Sequence, residues 1–264
     1  MKISLDELKQ KKAVLSIEDI DIYLLNSIRR IMLSELPKLA IEDVVIYDNT
    51  TTLFDEIISH RLGLVPLPTD PDLLNFRDEC TCEGKGCPSC TVRYTLSKEG
   101  EGMVYSGDLQ PSEASWRVSE DLIPIVELFN DQRLILEVES VLGRAKDHAK
   151  WQVVTAPGYR LYPTIQFDSK NKKDVEEFVK ELPEGLVTSV KKDTLELSDI
   201  SKLPIFESYM DMENVDFINI KKDPRHIRFH FETDGSYPAS KALMKSIDLF
   251  EEKLKEFTDL IDNI

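Results

Sequence analysis

All four cysteines of this chain fall within eleven residues, Cys80-Thr81-Cys82-Glu83-Gly84-Lys85-Gly86-Cys87-Pro88-Ser89-Cys90, and no other feature restricts the local fold so tightly. The spacing is C-x-C-x4-C-x2-C. Four thiolates this close in sequence can fold back around one tetrahedral ion, with Gly84 and Gly86 permitting tight turns and Pro88 stiffening the second pair. Zinc is the leading candidate. An iron–sulfur cluster also takes four thiolates, but the C-x2-C-x2-C run of ferredoxins is absent. Free or disulfide-linked thiols are the bland alternative. An ion held by Cys80, Cys82, Cys87 and Cys90 would be structural, because no coordination position is left to activate water.

At 264 residues with 41% hydrophobic content, the chain can bury a sizeable core as one large domain or two moderate ones. Its formal net charge of −16 opposes binding to a phosphate backbone. Direct sequence-specific DNA contact is not expected. The N-terminus lacks the apolar core of a signal peptide and no run approaches about twenty apolar residues, so the reading is a cytoplasmic protein with no membrane contact. His226 and His230 sit in a strand-like alternation, His60 lies in a helix and His148 in a basic loop. No HExxH, P-loop, GxGxxG or GxSxG occurs. No residue is assigned a catalytic or organic-cofactor role.

Leu24 to Pro37, LLNSIRRIMLSELP, places Leu24, Ile28, Ile31 and Met32 at helical spacing, with Asp19 or Asp21 as cap and Pro37 as terminator. Taken alone, the stretch favours an ordinary surface helix. Strands are expected over Lys11–Glu18 and Leu39–Tyr47, then a turn at Asp48-Asn49-Thr50 and a helix ending at Gly63. TVRYTLS, LIPIVEL and RLILEVESVL make the middle region β-rich. Gly143–Trp151, GRAKDHAKW, is basic and reads as an exposed or partner-facing loop. RLYPTIQF and RHIRFHFE are strand candidates, the first demoted by its proline to an edge or bulged strand. Between them, Lys172–Leu182 reads as a helix and the remainder through Ile220 as irregular and charged. A final helix from Pro238 to about Ile261 repeats Leu243, Ile247, Phe250, Leu254, Phe257 and Ile261 in an a/d rhythm. A seam with polar flanks there packs within the chain or meets a facing helix.

LLNSIRRIMLSELPKLAIEDVVIYDNTTTLFDEIISHRLGLVPL closely resembles the assembly segment of the alpha-like subunits of archaeal and eukaryotic RNA polymerases, most closely the archaeal members of that family. The residues that carry the likeness are Asn26, Arg29-Arg30, Pro37, Asn49-Thr50, Asp55-Glu56, His60 to Leu64 and Pro66-Leu67. Gly143 to Gln152 resembles a second family signature, and FHFETDGSYPASKALMKSI its closing strand and dimerisation helix. The likeness spans nearly the whole chain.

The resemblance implies an α+β fold. Residues 1–46 and 160–264 would form a discontinuous dimerisation domain, and 47–159 an inserted β-rich domain carrying the metal loop. It also implies a non-catalytic subunit of DNA-directed RNA polymerase, a nucleotidyltransferase. Such a subunit pairs with the small alpha-like subunit L, provides the platform for the large catalytic subunits such as B, and docks the small subunits N and P. The implied contacts are Leu24, Ile28, Arg29, Arg30, Ile31, Met32, His60, Arg61 and the six seam residues of the final helix. Many archaeal members carry a ferredoxin-like insert with cluster cysteines. Here residues 168–222 contain no cysteine, so no iron–sulfur cluster is expected there. The competing reading is a free-standing zinc module that binds nucleic acid.

Overall fold

The computed structural model describes Met1–Asn263. In chain order it contains β1 (Lys2–Leu8), β2 (Lys12–Glu18), α1 (Ile22–Ser34), β3 (Pro37–Asn49), α2 (Asp55–Gly63), β4 (Thr91–Glu99), β5 (Gly102–Tyr105) and β6 (Gln110–Pro111). There follow β7 (Pro124–Leu128), β8 (Arg133–Arg144), β9 (Val154–Phe167), α3 (Lys172–Glu181), β10 (Val187–Val190), β11 (Thr194–Leu197), α4 (Leu203–Met212), β12 (Ile218–Thr233) and α5 (Ala239–Asp262). No helix among the described residues is long and apolar enough to cross a membrane.

The chain divides into two units, one of which comprises Leu8–Ala13, Ser27–Pro157 and the segment from Phe231 onward. Its four-stranded sheet runs β3-β8-β4-β6. β8 alternates as its sequence suggests, with Leu134, Leu136 and Val138 buried. Both neighbours are antiparallel, β3 from Pro37↔Arg144 to Asn49↔Leu134 and β4 from Thr91↔Val141 to Glu99↔Arg133. The face so formed packs Leu39, Ile41, Tyr94 and Leu96 with Ile58 and Leu62 of α2. Period-2 burial on β8 is therefore completed by period-4 burial on α2.

Local chemistry sets the ends of these elements. Asn49 accepts from the Thr51 N–H at 3.0 Å and donates to Asp55 at 2.6 Å, organising the turn that opens α2. Asp55 and Glu56 in the first turn of α2, and His60 and Arg61 in its last, complement the helix dipole. Pro238 caps α5 with extended backbone. Ala242 and Ser246 of that helix are buried, Leu243, Ile247 and Phe250 half-buried, and every described residue from Glu251 onward is exposed.

The second unit comprises Met1–Glu7, Val14–Asn26 and Gly158–His230, and holds most of a six-stranded sheet in the order β1-β2-β12-β9-β11-β10. Ile227 and Phe229 of β12 are buried as its alternation implies. Phe167, Val175, Phe178, Leu195, Phe206 and Ile218 form its core, with the Phe178 and Phe206 rings edge-to-face at 5.9 Å. Two expectations are corrected here. The stretch after α3 is not irregular: it forms the β10–β11 hairpin and α4, whose Leu203 and Phe206 are buried. β9 is an interior strand despite Pro163, because its ladder with β11 involves only Ile165 and Gln166, beyond the proline. Asp21 caps α1 by accepting from the Tyr23 N–H at 2.8 Å.

Candidate metal centre and partner surfaces

The cysteine loop leaves a turn at Phe76–Glu79 and ends at the first residue of β4. Its entry and exit are tied by the Asn75 N–H donating to the Ser89 carbonyl at 2.9 Å. Two tight turns follow from the backbone: the Glu83 N–H reaches the Cys80 carbonyl, and the Cys90 and Thr91 N–H groups share the Cys87 carbonyl at 2.9 Å each. Glu83, Gly84 and Gly86 all have positive φ, at 55°, 78° and 82°. The four-residue spacer closes only because two of these three positions are glycine.

This folding brings the sulfurs together. Sγ of Cys80 lies 3.5 Å from that of Cys87, Cys82 lies 3.6 Å from Cys90, and Cys87 lies 3.8 Å from Cys90. All four lie within 4.8 Å of one another, and all four thiols are free. A zinc ion about 2.3 Å from each sulfur sets tetrahedral S···S edges of about 3.8 Å, so the donor set fits that ion. Desolvation raises Cys82, but hydrogen bonds from the Cys80 and Cys90 thiols win and bring it down to about 6. A hydrogen bond from the Cys82 backbone N–H lowers Cys80, yet burial and the neighbouring thiols push it up to about 11. Thiols this close ionise together only when a cation offsets their repulsion.

The helical candidates divide by exposure. In α1, Ile31 and Met32 are buried within the chain, Ile28 and Arg29 half-buried, and Leu24 and Arg30 exposed, beside Tyr23 at 80% exposure. In α5 the seam is half-buried through Phe250 and then open: Leu254, Phe257, Leu260 and Ile261 are 50–67% exposed. In α2, His60 is exposed, while Arg61 donates to the Ile125 carbonyl at 2.6 Å and so anchors the helix to β7.

The basic stretch Gly143–Trp151 is folded against its own unit. Trp151 stacks so tightly on Gly143 that a Cβ there would sit 2.2 Å from the indole. The Arg144 guanidinium lies 4.1 Å from the centre of the Phe76 ring, Lys146 pairs with Glu35 at 3.6 Å, and Lys150 pairs with Glu42. Of the expected exposed or partner-facing loop, the exposure holds for residues 146–149, while the cations Arg144, Lys146 and Lys150 are engaged within the chain. His148 and His60, distant in sequence, line one cavity of about 250 Å³ with Glu42, Ser59 and Leu64. His226 instead stacks on Tyr162 at 3.8 Å.

Sequence reasoning missed an outward-facing apolar group on β3 and α2. Val45, Tyr47, Phe54, Ile57 and Leu64 are 45–78% exposed. The available signal was the period-2 alternation along β3, which puts Val44 and Ile46 on one face and Val45 and Tyr47 on the other.

The family model "RNA polymerase Rpb3/RpoA insert domain" matches residues 44–169. The chain is 36% identical over 269 residues to DNA-directed RNA polymerase subunit Rpo3 of Methanosphaera stadtmanae, with 99% of each chain covered. It is 37% identical over 266 residues to that subunit of Thermoplasma volcanium, with 94% of each covered. Against the Picrophilus torridus subunit the figure is 35% over 272 residues, covering 98% of this chain and 97% of the other.

Proposed function

Because the chain belongs to the Rpo3 family of DNA-directed RNA polymerase subunits, we propose that it is a non-catalytic assembly subunit that pairs with the small alpha-like subunit L. The observation that carries this reading is the open end of α5. Leu254, Phe257, Leu260 and Ile261 present large apolar side chains to solvent, flanked by Lys, Glu and Asp. Such a stripe is what a helix retains for a facing helix.

Magnitudes decide how much of the interface this end can supply. Fully burying one such side chain contributes roughly 1.5–3 kcal/mol, and these four are already about half covered. Their combined gain is several kcal/mol, against an association cost of about 4–15 kcal/mol. A second surface is needed. The reading assigns it to the exposed Tyr23 and Leu24 of α1, with Ile28 at the margin, while Ile31 and Met32 hold the helix from within. Arg29 and Arg30 then serve charge-assisted contacts to a large subunit such as B, and His60 with the apolar side chains around α2 extends that platform toward B or the small subunits N and P.

Within this reading the four-cysteine loop holds a structural zinc ion that stiffens the β-rich region, and 47–159 acts as an insert in a dimerisation domain built from 1–46 and 160–264. The α3, β10–β11 and α4 elements support a ferredoxin-like shape for 168–222, without thiolates to hold a cluster. Working inside the polymerase, the subunit is placed in the cytoplasm. The alternative, a free-standing zinc module on nucleic acid, is disfavoured by the charge of −16 and by the intrachain use of Arg144, Lys146 and Lys150.

Co-expression with L, followed by native mass spectrometry, tests the proposal. A one-to-one heterodimer carrying one zinc ion is expected. A stable monomer that ignores L would overturn it.

A further inference from the structure

Arg77 joins the cysteine loop to the sheet beneath it. Its Nε donates to the Gly84 carbonyl at 3.0 Å, inside the spacer between Cys82 and Cys87. Its two terminal nitrogens lie 3.5 Å from Asp43 and 3.6 Å from Glu139. Asp43 of β3 and Glu139 of β8 are direct cross-strand partners. Two like charges placed opposite each other repel, and a cation between them removes the penalty. The sheet therefore holds the guanidinium in place independently of the loop.

The loop is shaped to receive it. Gly86 has φ of 82°, and a Cβ there would sit 3.3 Å from the Arg77 terminal nitrogen and 3.3 Å from the Thr91 hydroxyl. A side chain at this position would be strained at that φ and would crowd the guanidinium by a few tenths of an ångström. A planar fork with fixed donor directions can serve the carbonyl and both carboxylates at once, which a lysine ammonium at the end of a flexible stem cannot. Arg93 provides the contrast: it pairs with Glu139 at 2.6 Å from β4.

We propose that Arg77 is the positioning residue of the metal loop, fixing the Cys82–Cys87 spacer on the β3–β8 sheet so that Cys82 and Cys87 stay aimed at the ion. The proposal rests on the metal reading above. Groups that orient a metal site from behind its ligands typically change metal affinity by roughly 10- to 100-fold. Arg77 acts through the spacer backbone, so the lower end applies.

The test is zinc release from the full chain to a chromophoric chelator, with metal content measured beforehand. Arg77→Ala should release zinc about tenfold faster than wild type, and Arg77→Lys should recover only part of the difference. Arg93→Ala, which removes the other cation on Glu139, should release zinc at the wild-type rate. Equal rates for Arg77→Ala and wild type, or equal acceleration in Arg77→Ala and Arg93→Ala, would overturn the assignment of Arg77 while leaving the metal reading intact. A wild-type chain without stoichiometric metal would overturn both.

Discussion

The Lys38 ammonium lies 2.5 Å from the Asp234 carboxylate, with side-chain exposures of only 5% and 18%. Lys38 also donates to the Lys150 carbonyl at 2.8 Å and to that of Gln152 at 3.3 Å. One buried cation thus ties the start of β3 to the Gly143–Trp151 stretch and to the turn before α5. Breaking such a pair from one side strands a buried charge and costs about 3–5 kcal/mol. Lys38→Ala should lower the urea midpoint of its unit accordingly. The double variant Lys38→Met with Asp234→Leu should recover only part of the loss, because no charge is left to desolvate but the Lys150 and Gln152 carbonyls and the Ser236 N–H lose these partners. A Lys38→Ala midpoint equal to wild type would show that the pair contributes little.

Asp199 supplies the clearest pH dependence. Burial acts to raise its carboxyl, but hydrogen bonds from Ser201 and the Arg228 guanidinium at 2.6 Å prevail and hold it down to about 2. The unfolded value is about 3.9. A folded value below the unfolded one gives stability that is present above about pH 4 and lost as pH falls through about 2. Acid unfolding of the Gly158–His230 segment, followed by circular dichroism, should therefore steepen in that window. Asp199→Asn should flatten it. The carboxylate is 37% exposed, just over a third, so solvent screening keeps the effect modest.

Loss of one thiolate should act locally. Cys87 accepts two backbone hydrogen bonds at its carbonyl and supplies a sulfur close to those of Cys80 and Cys90. Cys87→Ser, or treatment with a strong chelator, should increase proteolysis around residues 75–95 several-fold and leave cleavage within 158–230 unchanged, since the ion's folding energy is delivered where its ligands lie. Equal cleavage of mutant and wild type near the loop would argue against a bound ion.

What the sequence could reveal depended on how local the cause was. The β8 alternation, the α5 heptads and the cysteine spacing are each legible in one short window, because one face or one ion imposes the period. α4 is not: Leu203 and Phe206 are its only fully buried anchors, and Pro204 reads as a breaker although it sits harmlessly in the first turn. β10 and β11 are four residues each, too short for a period to emerge. β1 escaped because an edge strand leaves both its faces largely exposed. The contacts that fix the sites, Lys38 with Asp234 and Arg77 with Asp43 and Glu139, join residues remote in sequence. They become visible only once the strands are paired.

The open end of α5 gives the most direct test of pairing. Leu254 and Phe257 are 50% and 63% exposed, and no residue of α5 beyond Phe250 belongs to the buried core. Charged substitutions there remove apolar area from a partner without opening a cavity in the chain itself. Leu254→Glu with Phe257→Glu should leave the thermal midpoint of the isolated chain within about 1–2 °C of wild type, as expected of exposed helix positions. The same variant should lose L. An interface that buries the exposed half or so of both side chains forfeits roughly 1–2 kcal/mol for each and adds the cost of desolvating two carboxylates, a weakening of about 100-fold. Affinity measured by titration calorimetry, beside a control at Lys2→Glu on β1, separates the outcomes. Undiminished binding of the double variant would place the contact with L elsewhere on the chain, and an equal loss in the control would trace the effect to net charge rather than to the seam.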